Sequence, residues 1–467
     1  MDSLPPELMC MILTFAVKGG LSPGMLQQVC HRWKYIINTY KFPVPRAMHM
    51  RNITTLPLLM WARRNGCPWN RHTCAHIASN GTLEMLQWAR HDPHPWSNRI
   101  RSLVKLPQQN PPCPWNKNTC VNAAKAGHLD MLMWAHANGC YWDEAICWGA
   151  ATGGHLEVLQ WARGNGCPWD ASTCTTAARE GHLEVLQWAR THGCEWDEHT
   201  CIVAAESGNL EVLQWAHAEG CPLHEWVCLV AAGEGHMEVI QWAHENGCPW
   251  DEYTCAAAAK GHLHILKWAK ENGCPWNAKT CAAAANNGHL DILQWARAHG
   301  CPWDPDTCYY AALKGHCYIL VWARVNGCPW NGETCYGAAM NGHLEILMWA
   351  RTNGCPWDEK ICTTAARHGH YDTLVWARSH GCPWDKDTIN EAAQYGHLEI
   401  VQWAHAQGCS WDVSTCSHAA YGGKLDVLIW LRTNGCPWDA NTWKASNASY
   451  NSDDMRRWVR AHGCPQD

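Results

Sequence analysis

The chain has 467 residues, among them 33 tryptophans and 30 cysteines against only 2 phenylalanines. That bias excludes a set of unrelated ordinary cores and points to one unit copied many times. An apolar share of 47% with 17% charged residues excludes a wholly disordered chain, and scattered charges leave no uninterrupted apolar run of about 18 residues. The net charge of -6, with no basic cluster, removes the footprint expected of a nucleic-acid binder. Neither nucleic acid nor a membrane is expected as a partner.

Residues 1–40 come first and do not follow the pattern of the rest. Leu8 to Val17 has the length of a signal-peptide core, but Asp2 and Glu7 stand where positive charges belong, and no small-residue cleavage site follows. The segment is expected to fold inside the cell, in the cytoplasm, where the cysteines stay mostly free thiols. Leu4, Pro5, Leu8, Ile12 and Leu13, then Leu21, Leu26, Val29, Cys30, Trp33 and Ile36, fall at helical spacing in short helices broken by Gly19-Gly20 and Ser22-Pro23. The Leu4-Pro5-Pro6-Glu7-Leu8 start and the Val29-Cys30-x-x-Trp33 end resemble an F-box. The resemblance implies docking on a Skp-family adaptor and, through it, on a cullin ubiquitin ligase, with Leu4, Pro5, Leu8, Ile12, Leu13, Leu26, Val29 and Trp33 as contact residues. The alternative is a capping module that hides these residues against the first repeat.

Residues 41–112 read as degenerate leading repeats, with one degraded unit around Trp61 to Gly81 and an insertion near Ser97 to Pro111; His94 stands where later units have the cysteine of Cys-Pro-Trp. From 113 to 440 the repeat is regular. The twelve marker glycines from Gly127 to Gly423 are 27 residues apart except for one step of 26. Residues 441–467 form a frayed C-terminal capping repeat, and roughly fifteen units fill the chain from residue 50 onward.

The unit from Cys167 to Gly193 serves as the reference. Asp170 is a good N-cap, and Asn116, Asp143, Asp197, Asp251, Asn277, Asp304, Asn331, Asp358, Asp385, Asp412 and Asp439 take the same place elsewhere. Cys174, Ala177 and Ala178 make a stripe of small residues on the first helix, which Gly181 ends as a left-handed cap. A second helix runs from His182 through Leu183, Val185, Leu186, Trp188 and Ala189 to Gly193, apolar nearly all round and expected to lie buried between neighbours. Neither helix reaches the roughly 12–15 residues needed for stability alone, so the pairs must stack. One buried Trp per interface would contribute about 2–3 kcal/mol before entropy. The expected fold is all-α, a helical solenoid with a small helical module ahead of it. A leucine-rich repeat could share the period, but the Ala-rich, helix-capped stretch stands where its strand would be. The run from Thr173 to Gly193 resembles the two-helix part of an ankyrin repeat, and units of this Cys-Pro-Trp type resemble those of large DNA viruses of amoebae.

Twelve Cys-x6-Cys pairs such as Cys167 and Cys174, most of them followed by a His such as His182, invite a metal reading. Ile389 and Trp443 in the Cys174 place, with Thr82, Asn209 and Lys424 in the His182 place, mean that no ligand set survives every copy, and the spacing is not that of a Cys-x2-Cys zinc site. No metal, cofactor or catalytic residue is expected. The thiols and indoles read as packing, although indoles could also stack on sugars or bases, and a thiol-rich metal or redox protein remains a minor alternative.

Recognition is expected from the places that change between units. If Cys174, Ala177 and Ala178 face inward, the places of Ser172, Thr176 and Arg179 line one concave face. They hold Asp306, Tyr310 and Leu313, then Glu333 and Met340, then Lys360, Thr364 and Arg367, with His418 and Tyr421 farther on. The expected function is a monomeric, non-enzymatic substrate receptor of an SCF-type ligase that selects an unknown target protein through this face. The alternative is an ankyrin-like scaffold or sequestering protein without an F-box.

Overall fold

The computed structural model describes residues 70–91, 112–447 and 453–466, with Thr55, Leu56, Leu59 and Met60 ahead of them. Residues 1–40, and with them every F-box contact residue named above, lie outside the described part. The described residues hold 28 helices and no strand, mostly nine or ten residues long. These fall into two compact units, divided between Trp169 and Asp170. The first contains three helix pairs and the second eleven, each pair an antiparallel-type hairpin of a first and a second helix.

The reference pair is built as its residues dictate. The Asp170 carboxylate accepts from Ser172 N at 3.0 Å, the helix Ala171–Glu180 follows, and Gly181 turns the chain at φ 79°, a region that L side chains avoid. The second helix, Leu183–Thr191, then returns. The Asx cap recurs at Asn116, Asp197, Asp251, Asn277, Asp304, Asn331, Asp385, Asp412 and Asp439, and Asp143 and Asp358 make the same bond to the backbone two residues on.

In the second unit, each first helix packs along the first helices of the pairs before and after it, while contact between successive second helices is slight. Small residues permit that approach. Cys174, Ala177 and Ala178 are fully buried, and Val185, Leu186 and Ala189 of the second helix close over them. Burying a side chain such as Leu186 contributes about 1.5–3 kcal/mol, and the repetition of this set along the array supplies the core that no single pair has.

The tryptophans are placed differently from the expectation. None of the described indoles is buried: most are half-exposed, Trp226 is 50% exposed and Trp148 38%. The gap between first helices admits only Cys and Ala, so the indoles sit at the outer edge, with one side on the pair and the other toward solvent. The loop Trp of each Cys-Pro-Trp meets the second-helix Trp that follows it nearly edge to face, as in Trp196–Trp215 at 5.5 Å and Trp303–Trp322 at 6.0 Å. A cation or imidazole from the preceding second helix covers the other face: Arg190 over Trp196 at 4.6 Å, Lys270 over Trp276 at 4.4 Å, and His405 stacked on Trp411 at 3.7 Å.

The Gly-His pair also does more than start a helix. The imidazoles make no side-chain cap bond to their own helices. His236, His262, His370 and His397 instead donate from Nε2 to the carbonyls of Glu206, Gly233, Met340 and Arg367, at the C-terminal end of the preceding first helix, over 2.9–3.1 Å. Asn209 makes the same reach to Ala178 and Arg179. The glycine beneath must be bare for a second reason: a Cβ on Gly369 would lie 2.6 Å from His397 Cε1.

In the first unit, the helix Arg71–Asn80 packs directly on the helix Lys117–Lys125. Cys113 closes the earlier pair as Cys194 closes the reference pair, bonding back to Asn70 O at 3.5 Å and, through its N–H, to Ala89 O at 2.9 Å. Cys113, not His94, therefore holds the Cys167 place here. The insertion near Ser97 to Pro111 lies outside the described residues.

Candidate protein-binding face

The first helices carry the variable residues, and their neighbours decide which of these reach solvent. Asp306, Glu333, Lys360 and Arg367 are exposed, Tyr421 is 53% exposed, and Tyr310, Leu313, Met340 and His418 are half-buried. Thr364 is a correction, since it is 7% exposed and cannot contact a partner. Its place faces the preceding first helix: at the equivalent Gly337, a Cβ would come 3.1 Å from Tyr309 O. Only small or flat residues fit there, so exposure at this place depends on the side chain it holds.

The remaining residues form a connected surface within the second unit. Arg367 pairs with Glu391 of the next first helix through two bonds of 2.8 Å, and its guanidinium lies 5.8 Å from the Tyr395 ring centre. Tyr309 and Tyr310 meet at 5.0 Å between ring centres. Burial, with His370 and Arg367 nearby, pushes the His368 imidazole below its ordinary value. A cleft of about 220 Å³ opens between two successive helix pairs of the second unit, with Glu333, Tyr336, Trp357, Asp358 and Lys360 on its walls. Gly332 helps to open it, because the nearest atom to a Cβ there is Pro356 O at 3.7 Å. Exposed Trp226, Tyr253 and Tyr395 belong to the first-helix surface too, and sequence reasoning passed over them. Their position beside varying neighbours at the helix ends was the available signal.

The thiols sit apart from this surface. The cysteines that meet are not the Cys-x6-Cys pairs: Cys174 meets Cys194, and eleven other pairs repeat the arrangement, one from the first helix and one closing the same pair. The hydrogen bond with Cys194 and then burial hold the Cys174 thiol protonated, far above the ordinary thiol range. Cys194 Sγ donates in turn to Asp170 O at 3.2 Å, tying the end of the pair to its beginning. Cys409, whose opposite number is Ile389, is pushed up to about 11 by burial. The same kind of thiol–thiol hydrogen bond lowers closing cysteines such as Cys221 and Cys301, but these too are buried, and burial keeps the sulfurs from substrates and metals. Among the described residues, no group of three or more His, Cys, Asp or Glu converges as a metal site, and no helix is long and apolar enough to cross a membrane.

No protein-family model matches the chain, and no curated protein does. Among solved structures, the human ASB11 ankyrin repeat domain is similar at 18% identity over 33% of this chain and 84% of that one, with a TM-score of 0.30. The fold assignment rests on the stacked pairs themselves: the described residues form an all-α repeat fold of helix-turn-helix units.

Proposed function

We propose that the chain is a non-catalytic adaptor in which residues 1–40 dock a Skp-family adaptor of a cullin ubiquitin ligase and the first-helix face selects a target protein. One observation carries the target-binding half. A constant core of Cys, Ala and Leu holds exposed and half-buried places whose residues vary between pairs, with Asp306, Glu333, Lys360 and Asp387 along one row and Leu313, Met340, Arg367, Gln394 and Tyr421 along another. Varied Tyr, Arg and Met on a rigid stack suit recognition of one protein, and the protein contributes proximity without chemistry. The adaptor half rests on the Leu4 to Leu8 and Val29 to Trp33 motifs.

The test is capture of a Skp-family adaptor by the full chain and by a Leu8→Ala, Trp33→Ala variant. Capture by the first and loss by the second support the reading. Equal capture, or none by the unaltered chain, removes the ligase role and leaves the scaffold reading, which residues 70–466 support on their own.

A further inference from the structure

One edge of the array, formed by the starts of successive first helices in the second unit, carries two exposed aromatic side chains in consecutive pairs. Trp226 is 50% exposed and Tyr253 45%, both at the place that holds Ser172 in the reference pair. Trp226 is the most exposed of the described indoles and belongs to neither the loop nor the second-helix Trp series. Beside these rings stand Asp197, Glu198, Glu225, Asp251 and Glu252, all exposed or half-exposed.

Helix starts favour acidic residues through the macrodipole, which accounts for some of these carboxylates. It does not account for an indole and a phenol in water, or for a like-charge pair. At two other points the chain itself shows what the edge geometry favours. Lys117 at the first helical position bonds Asp143, the cap of the next pair, at 2.7 Å, and Lys386 bonds Asp412 in the same relation at 2.9 Å. The same two positions here are Glu225 and Asp251. Two carboxylates stand where a cation and a carboxylate stand elsewhere, and an added cation would relieve their repulsion. Tyr253 gives a second precedent: Lys279, at the equivalent place in the next pair, donates to its hydroxyl and lies 3.9 Å from its ring centre. Trp226 is followed by Tyr253, so the chain supplies no lysine to it from that place.

We propose that this edge docks a lysine- or arginine-rich segment of a partner protein, with one cationic head between Glu225 and Asp251 and its stem along the Trp226 indole. Aromatic faces bind such cations best where carboxylates add charge complementarity, and the acidic rim steers a basic segment toward the ring. The His224 ring meets the Trp226 indole nearly edge to face, at 5.4 Å between ring centres. Its Nδ1 accepts from Trp226 N at 3.2 Å, so this imidazole serves as the helix cap.

The inference rests on the protein-binding reading of the repeats and not on residues 1–40, so adaptor capture and the following test fail independently. A fluorescein-labelled peptide of alternating Arg and Ser is titrated with the full chain by fluorescence anisotropy, with an alternating Glu-Ser peptide as control. Saturable binding of the basic peptide alone is expected, weaker in high salt. Glu225→Lys and Trp226→Ala, both at exposed positions, are each expected to weaken it by about five- to tenfold with unchanged circular dichroism. Glu225→Gln replaces the Lys variant if that one misfolds. Failure to bind the basic peptide, equal binding of the acidic one, an affinity within about twofold of the unaltered chain in either variant, or preferential binding of a single-stranded oligonucleotide would each overturn the proposal.

Discussion

Replacing His397 by Ala should loosen the clasp between two successive pairs. The imidazole donates to Arg367 O at 2.9 Å and packs on the bare face of Gly369. Losing one such bond costs about 0.5–1.5 kcal/mol, and a donor at a helix C-terminus adds about 0.3–1 kcal/mol of favourable interaction with the last carbonyls. Because Arg367 is exposed, water can reach its carbonyl, which keeps the total near 1–2 kcal/mol rather than the cost of a buried orphan. The chain supplies its own control in Asn209, whose amide reaches Ala178 O and Arg179 O at 3.0 and 2.8 Å. His397→Asn is therefore expected to retain at least about half of the lost stability. Amide exchange in the last turn of the helix Lys360–Arg367 is the primary readout, since an array of coupled pairs does not unfold as a single two-state body. The urea midpoint followed by tryptophan fluorescence is the second. Equal losses in the Asn and Ala variants, or unchanged exchange in the Ala variant, would refute the clasp.

Three further outcomes follow from the core and the caps. The buried Thr307 hydroxyl has no partner, whereas that of Thr388 meets Thr363 at 3.3 Å, so Thr307→Val should be neutral or stabilising and Thr388→Val should cost about 0.5–1.5 kcal/mol in thermal unfolding; the opposite order would contradict the structure. The Ser414 hydroxyl and then Lys386 lower the Asp412 carboxyl from 3.8 to about 2, so its stabilisation is full above the ordinary value and lost as pH falls toward about 2. The carboxylate side chain is 40% exposed and screened, so the effect is under about 1 kcal/mol; Ser414→Ala should shrink the fall in melting temperature across that window, and an unchanged fall would count against it. With Cys10, Cys30 and Cys67 replaced by Ser, the native protein should react with a thiol reagent first at Cys317, the one described cysteine that is not buried, and at the others only on unfolding. Several native thiols reacting as fast would show the core to be open.

The 27-residue period, the Asx caps, the positive-φ glycines and the small stripe of Cys174, Ala177 and Ala178 could all be read in the sequence, because each acts within a few residues of backbone and depends on side-chain type alone. They determined the helix pairs and the need to stack. What the sequence could not assign was which copy a side chain meets, since every place recurs in every unit and a period is blind to the partner. The closure of each pair decided that Cys174 meets Cys194, and stacking decided that His397 reaches back to Arg367 and that Thr364 is covered by the helix before it. It also moved the indoles from the expected interior to the edge, because first helices in contact through Cys and Ala leave no space for a ring between them.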